Sequence, residues 1–411
     1  MKDYIRKEPY NLLYNSLHGE PNFIQVIIGP RQVGKTTLVL QLYDRWQGPK
    51  LYETADLPNI PTINWIIEKW KQARDLSRKT KKVTLLILDE AQKIPRWSEI
   101  TKKLFDEDKR MKTPIRIVLL GSSSLLMQKG LTESLSGRFE LHRHYHWSYK
   151  ECKEYFKLTP DEYIYFGGYP GGLQLISDEM RWNKYIRDSL IETVISKDVI
   201  LMSPITKPAL LRQVFGLCIE HPAEIVSYQK MLGQLQDAGN TTTIAFYLRL
   251  LASAFMLAPL EKFSGSKIKQ KSSSPKILVL DNSIISSSKN SRFNTVVKDR
   301  SLWGRFVENI IGAKLYPVVQ ESGGALFYWR DRTDEVDYIV QSSGKLIAIE
   351  VKSGIPSKIP ASLNLFTHRY KKTNKIVITG SERENKGTVE EKDVKWITLE
   401  SFLLNPKQII E

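Results

Sequence analysis

The chain has 411 residues, of which 41% are hydrophobic and 26% charged, the composition of a globular protein with two or three domains. No apolar run approaches the roughly 20 residues that span a bilayer, and the charged N-terminus lacks a signal-peptide core, which excludes an integral membrane protein. The formal net charge of +16 favours a polyanionic partner such as nucleic acid. Two cysteines without metal-type spacing, Cys152 and Cys218, indicate free thiols and a cytoplasmic location.

Up to about residue 150, apolar strand-like runs alternate with helical stretches, which predicts an α/β fold with a parallel sheet, and residues 149 to about 200 read as mainly helical. The predicted strands span residues 23–28, 83–88 and 115–120, and residues 36–46 form the helix after the first strand. The last two runs are almost continuously apolar, as strands buried on both faces require.

The first predicted strand is followed by a phosphate-binding motif. The stretch matches G-x-x-x-x-G-K-[ST] between a buried strand and a helix, which is the context that the motif requires. With the threonine that follows, its residues are Gly29, Pro30, Arg31, Gln32, Val33, Gly34, Lys35, Thr36 and Thr37. Backbone N–H groups would surround the phosphates of ATP, Lys35 would reach the β- and γ-phosphates, and Thr36 would ligate Mg²⁺. The motif therefore predicts a site for ATP with Mg²⁺.

Two carboxylates end the second predicted strand. Asp89 would hold Mg²⁺ through water, and Glu90 would orient or activate the attacking water. The alternative is that they are ordinary acids at a strand end. The third strand ends at Gly121, and either Ser122 or Ser123 after it is a candidate sensor of the γ-phosphate.

An arginine follows a glycine turn further along the chain. Arg138 is a candidate arginine finger, acting in its own chain or on a neighbouring subunit, or it is a surface arginine in a salt bridge. His142, His144 and His146 then alternate along what should be the last strand of the sheet. Without an evident fourth ligand, we expect packed or hydrogen-bonded histidines rather than a metal site.

Residues 205–285 read as three short helices followed by a two-stranded ribbon, with strands at 255–260 and 277–280, an order that resembles a winged helix-turn-helix. Residues 262–276, between the strands, are basic and contain no acid. Their lysines are Lys262, Lys267, Lys269, Lys271 and Lys276. At the tip of a wing they would contact a DNA backbone, whereas the alternatives are a solvated loop or a protein-docking module.

The last third of the chain contains a helix near 303–315 and then a predicted hairpin with the turn Ser343-Gly344. This turn places Asp337 opposite Glu350, and Lys352 on the same face as Glu350. Like charges in that arrangement repel each other, and a divalent cation that bridged them would remove the penalty.

Together these motifs resemble a prokaryotic family of AAA-type P-loop ATPases whose C-terminal domain, of uncharacterised function, has a PD-(D/E)xK nuclease-like fold. The resemblance rests on Gly-Pro-Arg-Gln-Val-Gly-Lys-Thr-Thr (29–37), Leu-Asp-Glu-Ala-Gln-Lys-Ile-Pro-Arg-Trp (88–97), Gly-Ser-Ser-Ser (121–124), Glu-Ser-Leu-Ser-Gly-Arg (133–138) and Phe-Gly-Gly-Tyr-Pro (166–170). It implies an AAA-like domain with a helical extension (1–200), a winged-helix module (205–285) and a nuclease-like domain (286–411).

The resemblance also implies roles for the C-terminal residues. Glu308, Asp337 and Glu350 would bind a metal ion, and Lys352 would be the catalytic lysine. The alternative is a nuclease-like fold retained for binding, its acids neutralised by Lys352 and by nearby Arg330 and Arg332. The AAA resemblance further suggests a homo-oligomeric ring.

We therefore expect an ATP-hydrolysing switch whose nucleotide state controls the C-terminal half and which acts on DNA. Two other functions remain open at this stage. One is an ATP-gated, metal-dependent DNA nuclease, and the other is a signalling or scaffold ATPase that binds proteins.

Overall fold

A computed structural model describes residues 4–411 apart from 122–123, 201–204, 236–238, 267–269, 271–272, 290–291, 355, 357 and 381–392. The chain divides into two compact units, Met1–Tyr145 with Ser196–Pro204, and His146–Ile195 with Ile205–Glu411. This division differs from the three predicted domains, because the middle and C-terminal regions pack into one unit and residues 146–195 belong with them.

The first unit is built on a five-stranded sheet in which every strand pair is parallel. Its elements are α1 (Lys7–His18), β1 (Ile24–Ile28), α2 (Lys35–Arg45), β2 (Lys50–Thr54), α3 (Ile63–Thr80), β3 (Thr84–Asp89), α4 (Trp97–Met111), β4 (Ile115–Leu120), α5 (Ser124–Glu133) and β5 (Phe139–Arg143). The strand order is β2-β3-β4-β1-β5. The predicted α/β fold with a parallel sheet is confirmed.

The burial of each strand explains why the sequence predicts β1 and β3 but not β2. Every residue of β1 and β3 is buried, and leucines and valines of α2 pack on one face of the sheet while α3 packs on the other. By contrast, every residue of β2 is only half-buried, because β2 is an outer strand with a neighbouring strand on one side only. In a parallel sheet the carboxyl ends of the strands meet at one edge, so the segments after β1 and β3 and Gly121 after β4 lie at that edge.

The second unit begins with helices. They are α6 (Tyr149–Phe156), α7 (Pro160–Phe166), α8 (Pro170–Leu173) and α9 (Glu179–Lys184), followed by the π-helical segment Tyr185–Ile191. A second π-helical segment, Val194–Ile200, begins in this unit, but from Ser196 onward its residues belong to the first unit. Capping boxes fix where the first two helices begin, with Ser148 bonded to the backbone of Glu151 and Thr159 bonded to that of Glu162.

Three helices and a ribbon follow in the predicted order. They are α10 (Pro208–Glu220), α11 (Tyr228–Gln234), α12 (Thr241–Ser253), β6 (Leu257–Leu260) and β7 (Lys276–Val279). The two strands are antiparallel, and Leu260 pairs with Lys276 at the end nearest the connecting segment.

The C-terminal part of this unit is a five-stranded mixed sheet with helices. Its elements are α13 (Asn282–Lys289), α14 (Phe293–Lys298), α15 (Arg300–Glu321), β8 (Ala325–Asp331), β9 (Asp334–Ser342), β10 (Lys345–Lys352), α16 (Ala361–Arg369), β11 (Thr373–Thr379), β12 (Val394–Thr398) and α17 (Leu399–Leu404). The strand order is β12-β11-β10-β9-β8, and β8, β9 and β10 form an antiparallel meander.

The predicted hairpin register is confirmed, since Ser342 pairs with Lys345 across a turn in which Ser343 and Gly344 both have positive φ. Helix α15 packs against β7, β8, β9 and β10, which brings the ribbon and the sheet together. Within the described residues, no helix is long and apolar enough to cross a membrane.

Candidate nucleotide-binding site and C-terminal acid cluster

The loop between β1 and α2 has a backbone that requires glycine at two positions. A Cβ atom at Gly29 would lie 2.1 Å from the backbone oxygen of His144, so no side chain fits there. Gly34 has a φ of +95°, a conformation that residues with a side chain rarely adopt. Gly34 is also the N-cap of α2 and supplies no capping side chain, so the first N–H groups of this helix have no side-chain cap.

Lys35 is buried, and its ammonium donates hydrogen bonds to two carbonyl oxygens of the loop. The distances are 2.9 Å to the oxygen of Gly29 and 2.6 Å to that of Pro30. Burial lowers the pKa of Lys35 to about 8. A charged group surrounded by backbone dipoles, with little solvent, favours an incoming anion. The following residues, Thr36 and Thr37, are exposed at the start of α2, where a ligand can reach their hydroxyl groups.

Asp89 lies at the end of β3, on the same edge of the sheet as the loop after β1. Its carboxylate accepts a 2.7 Å hydrogen bond from the hydroxyl group of Tyr52 on the neighbouring strand β2. Burial raises the pKa of Asp89 to about 6. A buried carboxylate held by one hydroxyl group has the oxygen atoms that Mg²⁺ prefers, and a bound cation would favour its ionised form.

Glu90 follows in the left-handed region, with a φ of +58°. The amide of Gln92 donates a 2.8 Å hydrogen bond to Oε2 of Glu90, and the ammonium of Lys93 lies 3.7 Å from the same oxygen. Gln92 also packs against Gly121 at the end of β4, where a Cβ atom would come within 2.4 Å of its side-chain oxygen. Gln92 therefore orients the carboxylate of Glu90 next to the strand that ends at Gly121.

Arg31, inside the phosphate-binding loop, is paired with an acid far away in the sequence. Its guanidinium donates two hydrogen bonds of 2.5 Å to the carboxylate of Asp198, which is buried. Side-chain hydrogen bonding to Asp198 raises the pKa of Arg31. The segment that carries Asp198 belongs to the first unit, although the residues on both sides of it along the chain belong to the second.

The three histidines are hydrogen-bonded or packed, as expected, but they do not share one strand face, because β5 ends at Arg143. His142 hydrogen-bonds the side chain of Gln25 at 2.6 Å. His144 is buried, and its Nε2 lies 2.8 Å from the guanidinium of Arg6. His146 packs edge-on against Tyr169.

The structure does not bring all predicted site residues together. Ser122 and Ser123 lie outside the described residues. Arg138 precedes β5, and its backbone oxygen accepts a hydrogen bond from Ile24 at the start of β1, so it lies at the opposite edge of the sheet from the phosphate-binding loop. Its guanidinium binds both carboxylate oxygens of Asp106 at 2.8 and 3.0 Å. Arg138 therefore forms the salt bridge that was one of its two predicted roles. At this position it lies too far round the sheet to act as an arginine finger on the phosphate-binding loop of its own chain.

In the second unit, the predicted C-terminal acids lie near one another. The pairing of β9 with β10 ends at Tyr338 and Ile349, and Asp337 and Glu350 are the residues directly beyond that pair. The carboxylate of Asp337 accepts a 2.8 Å hydrogen bond from the backbone of Val351, and the ammonium of Lys352 lies 2.9 Å from Oε1 of Glu350. Glu308, Glu335 and Asp337 have carboxylate oxygens within 4.8 Å of one another, close enough to hold one metal ion.

Lys276 is the residue that sequence reasoning misplaced. The sequence predicts that Lys276 lies at the tip of a wing. In the structure its side chain is fully buried, and its ammonium lies 2.6 Å from Oε1 of Glu308. The alternative prediction was that Lys352, Arg330 and Arg332 neutralise the acids. Among the described residues, the two arginines form no ion pair with these acids, whereas Lys276 does. The reason is that the first residue of β7 faces α15 and β9.

Five residues around the two sites were not identified from the sequence. They are Tyr52, Gln92, Asp198, Lys276 and Glu335. Gln92 lies two residues after a predicted acid, and Glu335 lies two residues before one, so their spacing was the only available signal. The other three reach their sites from distant segments, which no local pattern indicates.

Comparison with known families divides the chain into three matched regions. Residues 21–153 match the AAA domain family, residues 158–292 match a domain of unknown function (DUF8612), and residues 303–399 match another domain of unknown function (DUF4143). The first match covers β1 to β5 and both acids of the nucleotide site.

The chain is also similar to uncharacterized proteins over most of its length. It is 26% identical to one from Mycobacterium tuberculosis over 366 residues, covering 87% of this chain and 76% of the relative. It is 23% identical to one from Haemophilus influenzae over 387 residues (89% and 91%), and 26% identical to one from Methanocaldococcus jannaschii over 351 residues (79% and 74%).

Solved structures align weakly with the chain. The Thermotoga maritima RuvB Holliday junction branch migration motor aligns with a TM-score of 0.31 and 14% identity, covering 62% of this chain and 89% of RuvB. DnaA from Aquifex aeolicus bound to AMPPCP aligns with a TM-score of 0.32 and 15% identity, covering 61% and 90%.

Proposed function

Because residues 21–153 match the AAA domain family and contain a phosphate-binding motif between a buried strand and a helix, we propose that this protein binds ATP with Mg²⁺ and hydrolyses it. The observation that carries the proposal is the position of Lys35, Asp89 and Glu90. They follow two strands of one parallel sheet at the same edge, beside the uncapped N-terminus of α2.

Each residue of the site has a distinct role in this proposal. The N–H groups of the loop and the ammonium of Lys35 bind the β- and γ-phosphates. The hydroxyl group of Thr36 and the carboxylate of Asp89 would hold Mg²⁺, which offsets the negative charge of the phosphates when bound. Glu90, oriented by Gln92, positions the attacking water and accepts its proton. Tyr52 keeps the carboxylate of Asp89 directed towards the loop.

We further propose that the nucleotide state controls the second unit and that the protein acts on DNA. The net charge of +16 supports a polyanionic partner, and the order of α10, α11, α12, β6 and β7 supports a winged-helix module. An AAA-type domain also makes a homo-oligomeric ring a reasonable expectation, in which Arg138 would act on a neighbouring subunit.

The test is ATP turnover by the wild type and by two variants, with and without DNA. Glu90→Gln should bind ATP but turn it over at least about 100-fold more slowly, because it loses the base and keeps the phosphate ligands. Lys35→Ala should lose both binding and turnover. Turnover by Glu90→Gln equal to that of the wild type would contradict the proposed role of the carboxylate.

DNA provides the second comparison. We expect it to stimulate turnover and to bind with an affinity that falls steeply as salt rises. Turnover that is insensitive to DNA, together with no salt-dependent binding, would instead favour a signalling or scaffold ATPase.

A second candidate function is metal-dependent cleavage of DNA. The proximity of Glu308, Asp337, Glu350 and Lys352 favours it, and their arrangement supports a PD-(D/E)xK nuclease-like fold. The ammonium of Lys276 among the acids opposes it. Cleavage with Mg²⁺ or Mn²⁺ that Asp337→Ala abolishes, with ATP turnover unchanged, would establish this activity.

A further inference from the structure

The first residue of β7 places a fully buried ammonium group inside the C-terminal acid cluster. The side chain of Lys276 has no exposed surface. Its Nζ lies 2.6 Å from Oε1 of Glu308 on α15, 3.0 Å from Oε1 of Glu335 on β9, and 3.7 Å from Oδ1 of Asp337. It also donates a 3.3 Å hydrogen bond to the backbone oxygen of Asp337. The ammonium thus faces oxygen atoms from a helix and from a sheet.

These oxygens have the arrangement of a cation site. The three carboxylates lie within 4.8 Å of one another, and oxygen atoms from several carboxylates are the ligands that Mg²⁺ and Mn²⁺ prefer. Burying an ammonium is costly unless it is paired, and here the carboxylates supply the pairing. Although burial acts to lower the pKa of Lys276, Glu308 and the other acids outweigh it and raise the pKa above its usual value. The cluster therefore already contains a cation, and that cation belongs to the chain.

The two ammonium groups of the cluster do not pair with every carboxylate oxygen in it. Glu350 on β10 is also buried, and its Oε2 has no hydrogen-bond partner among the described residues, while Oε1 is paired with Lys352. Four carboxyl groups (Glu308, Glu335, Asp337 and Glu350) surround two ammonium groups (Lys276 and Lys352). Burial raises the pKa of Glu308 to about 7 and that of Glu350 to about 8, as expected where acids outnumber cations.

We propose that Lys276 is a tethered cation that occupies the divalent-ion position of this acid cluster, so that the cluster binds a divalent ion only when the ammonium is absent. Lys276 and a divalent ion exclude each other, because both require the same oxygens of Glu308, Glu335 and Asp337. While β7 pairs with β6 as it does here, the C-terminal unit takes up no Mg²⁺ or Mn²⁺ at these acids. Displacement of Lys276, the first residue of β7, would leave the three carboxylates able to bind a divalent ion. This would not depend on whether the nucleotide-binding loop holds ATP.

The test measures Mn²⁺ binding to the full chain without nucleotide, by electron paramagnetic resonance of the free ion. All proteins carry Asp89→Asn, which removes the acid of the other site. We expect Lys276→Met to bind one Mn²⁺ at least tenfold more tightly than the Lys276 protein does, because the ammonium is replaced by an uncharged side chain of similar length. Adding Asp337→Asn to Lys276→Met should abolish the gain. Lys375→Met, which removes a half-buried lysine of β11 that is not paired with these acids, is the matched control and should gain nothing.

Thermal unfolding provides a readout that does not depend on any activity. Mn²⁺ should raise the midpoint of Lys276→Met by about 3 °C or more and leave the Lys276 protein unchanged. If Lys276→Met folds only when Mn²⁺ is added, that rescue supports the proposal equally. The proposal is overturned if Lys276→Met gains no Mn²⁺ site and no stabilisation. It is also overturned if the protein that retains Lys276 binds Mn²⁺ as tightly as Lys276→Met does and loses this binding when Asp337→Asn is added.

Discussion

Nucleotide binding should depend on pH in a way that identifies Asp89. Burial raises the pKa of this carboxylate to about 6, so it is mostly protonated at pH 5 and almost fully ionised at pH 8. Mg²⁺ requires the ionised form. Because only about a tenth of the molecules carry that form at pH 5, the affinity for ATP with Mg²⁺ should be about tenfold weaker there than at pH 8, or about 1.4 kcal/mol.

The same pKa predicts the opposite trend for the stability of the nucleotide-free chain. The unfolded chain ionises Asp89 near its ordinary value of 3.8, whereas the folded chain keeps the proton until about pH 6. The unfolded state therefore binds fewer protons in this window, and the free energy of unfolding falls as pH rises from 4 to 6. The difference between the two pKa values corresponds to at most about 3 kcal/mol.

The assay is isothermal titration with ATP and Mg²⁺ at pH 5, 6, 7 and 8, for the wild type and for Asp89→Asn. The phosphates of ATP also titrate in this range, but they do so equally for both proteins, so the difference between the two profiles isolates the carboxylate. Denaturant unfolding of the same pair tests the stability trend. Superimposable pH profiles for the two proteins would refute the reasoning.

Three further predictions concern the glycines of the loop, Arg138 at the opposite edge of the sheet, and the acid paired with Arg31. Gly29→Ala should destabilise the chain by about 1–3 kcal/mol in denaturant unfolding and abolish ATP binding, whereas Gly34→Ala, which has open space around it, should cost about 1 kcal/mol of backbone strain. Arg138→Ala should lower the free energy of unfolding by at most about 1 kcal/mol, because its salt bridge is partly exposed. ATP turnover by the dilute monomer should be unchanged, whereas a finger on a neighbouring subunit predicts a fall of about 1000-fold in the assembled ring; equal turnover by the assembled variant and wild type would contradict that role. Asp198→Asn should release Arg31 for the phosphates and tighten ATP binding by about threefold to tenfold, and weaker binding in a competition assay would contradict this.

The candidate nucleotide site follows from the sequence because the signals for it are local. Lys35 and Thr36 belong to one continuous motif, and Asp89 and Glu90 end a continuous apolar run. The hairpin was equally predictable, since the turn at Ser343 sets which residues of β9 and β10 oppose each other. In each case, neighbouring residues alone determine the geometry.

The remaining features depend on contacts that sequence spacing does not encode. Arg31 and Asp198 are 167 residues apart, and Lys276 reaches Glu308 across the packing of β7 on α15. Lysines in a serine-rich segment usually face solvent, so the direction of Lys276 could be found only from the fold. Strand β2 was missed because its half-buried residues lack the apolar run of a central strand.

The central claim is that the loop at residues 29–36 binds the phosphates of ATP, and the most direct measurement is isothermal titration calorimetry at pH 7.5 with Mg²⁺. We expect one ATP per chain for the wild type, and at least about 100-fold weaker binding for Lys35→Ala at unchanged thermal stability. If the folded wild type gives only heats of dilution, and therefore no binding, the claim is contradicted. Equal affinity of the wild type and Lys35→Ala for ATP would contradict it as well.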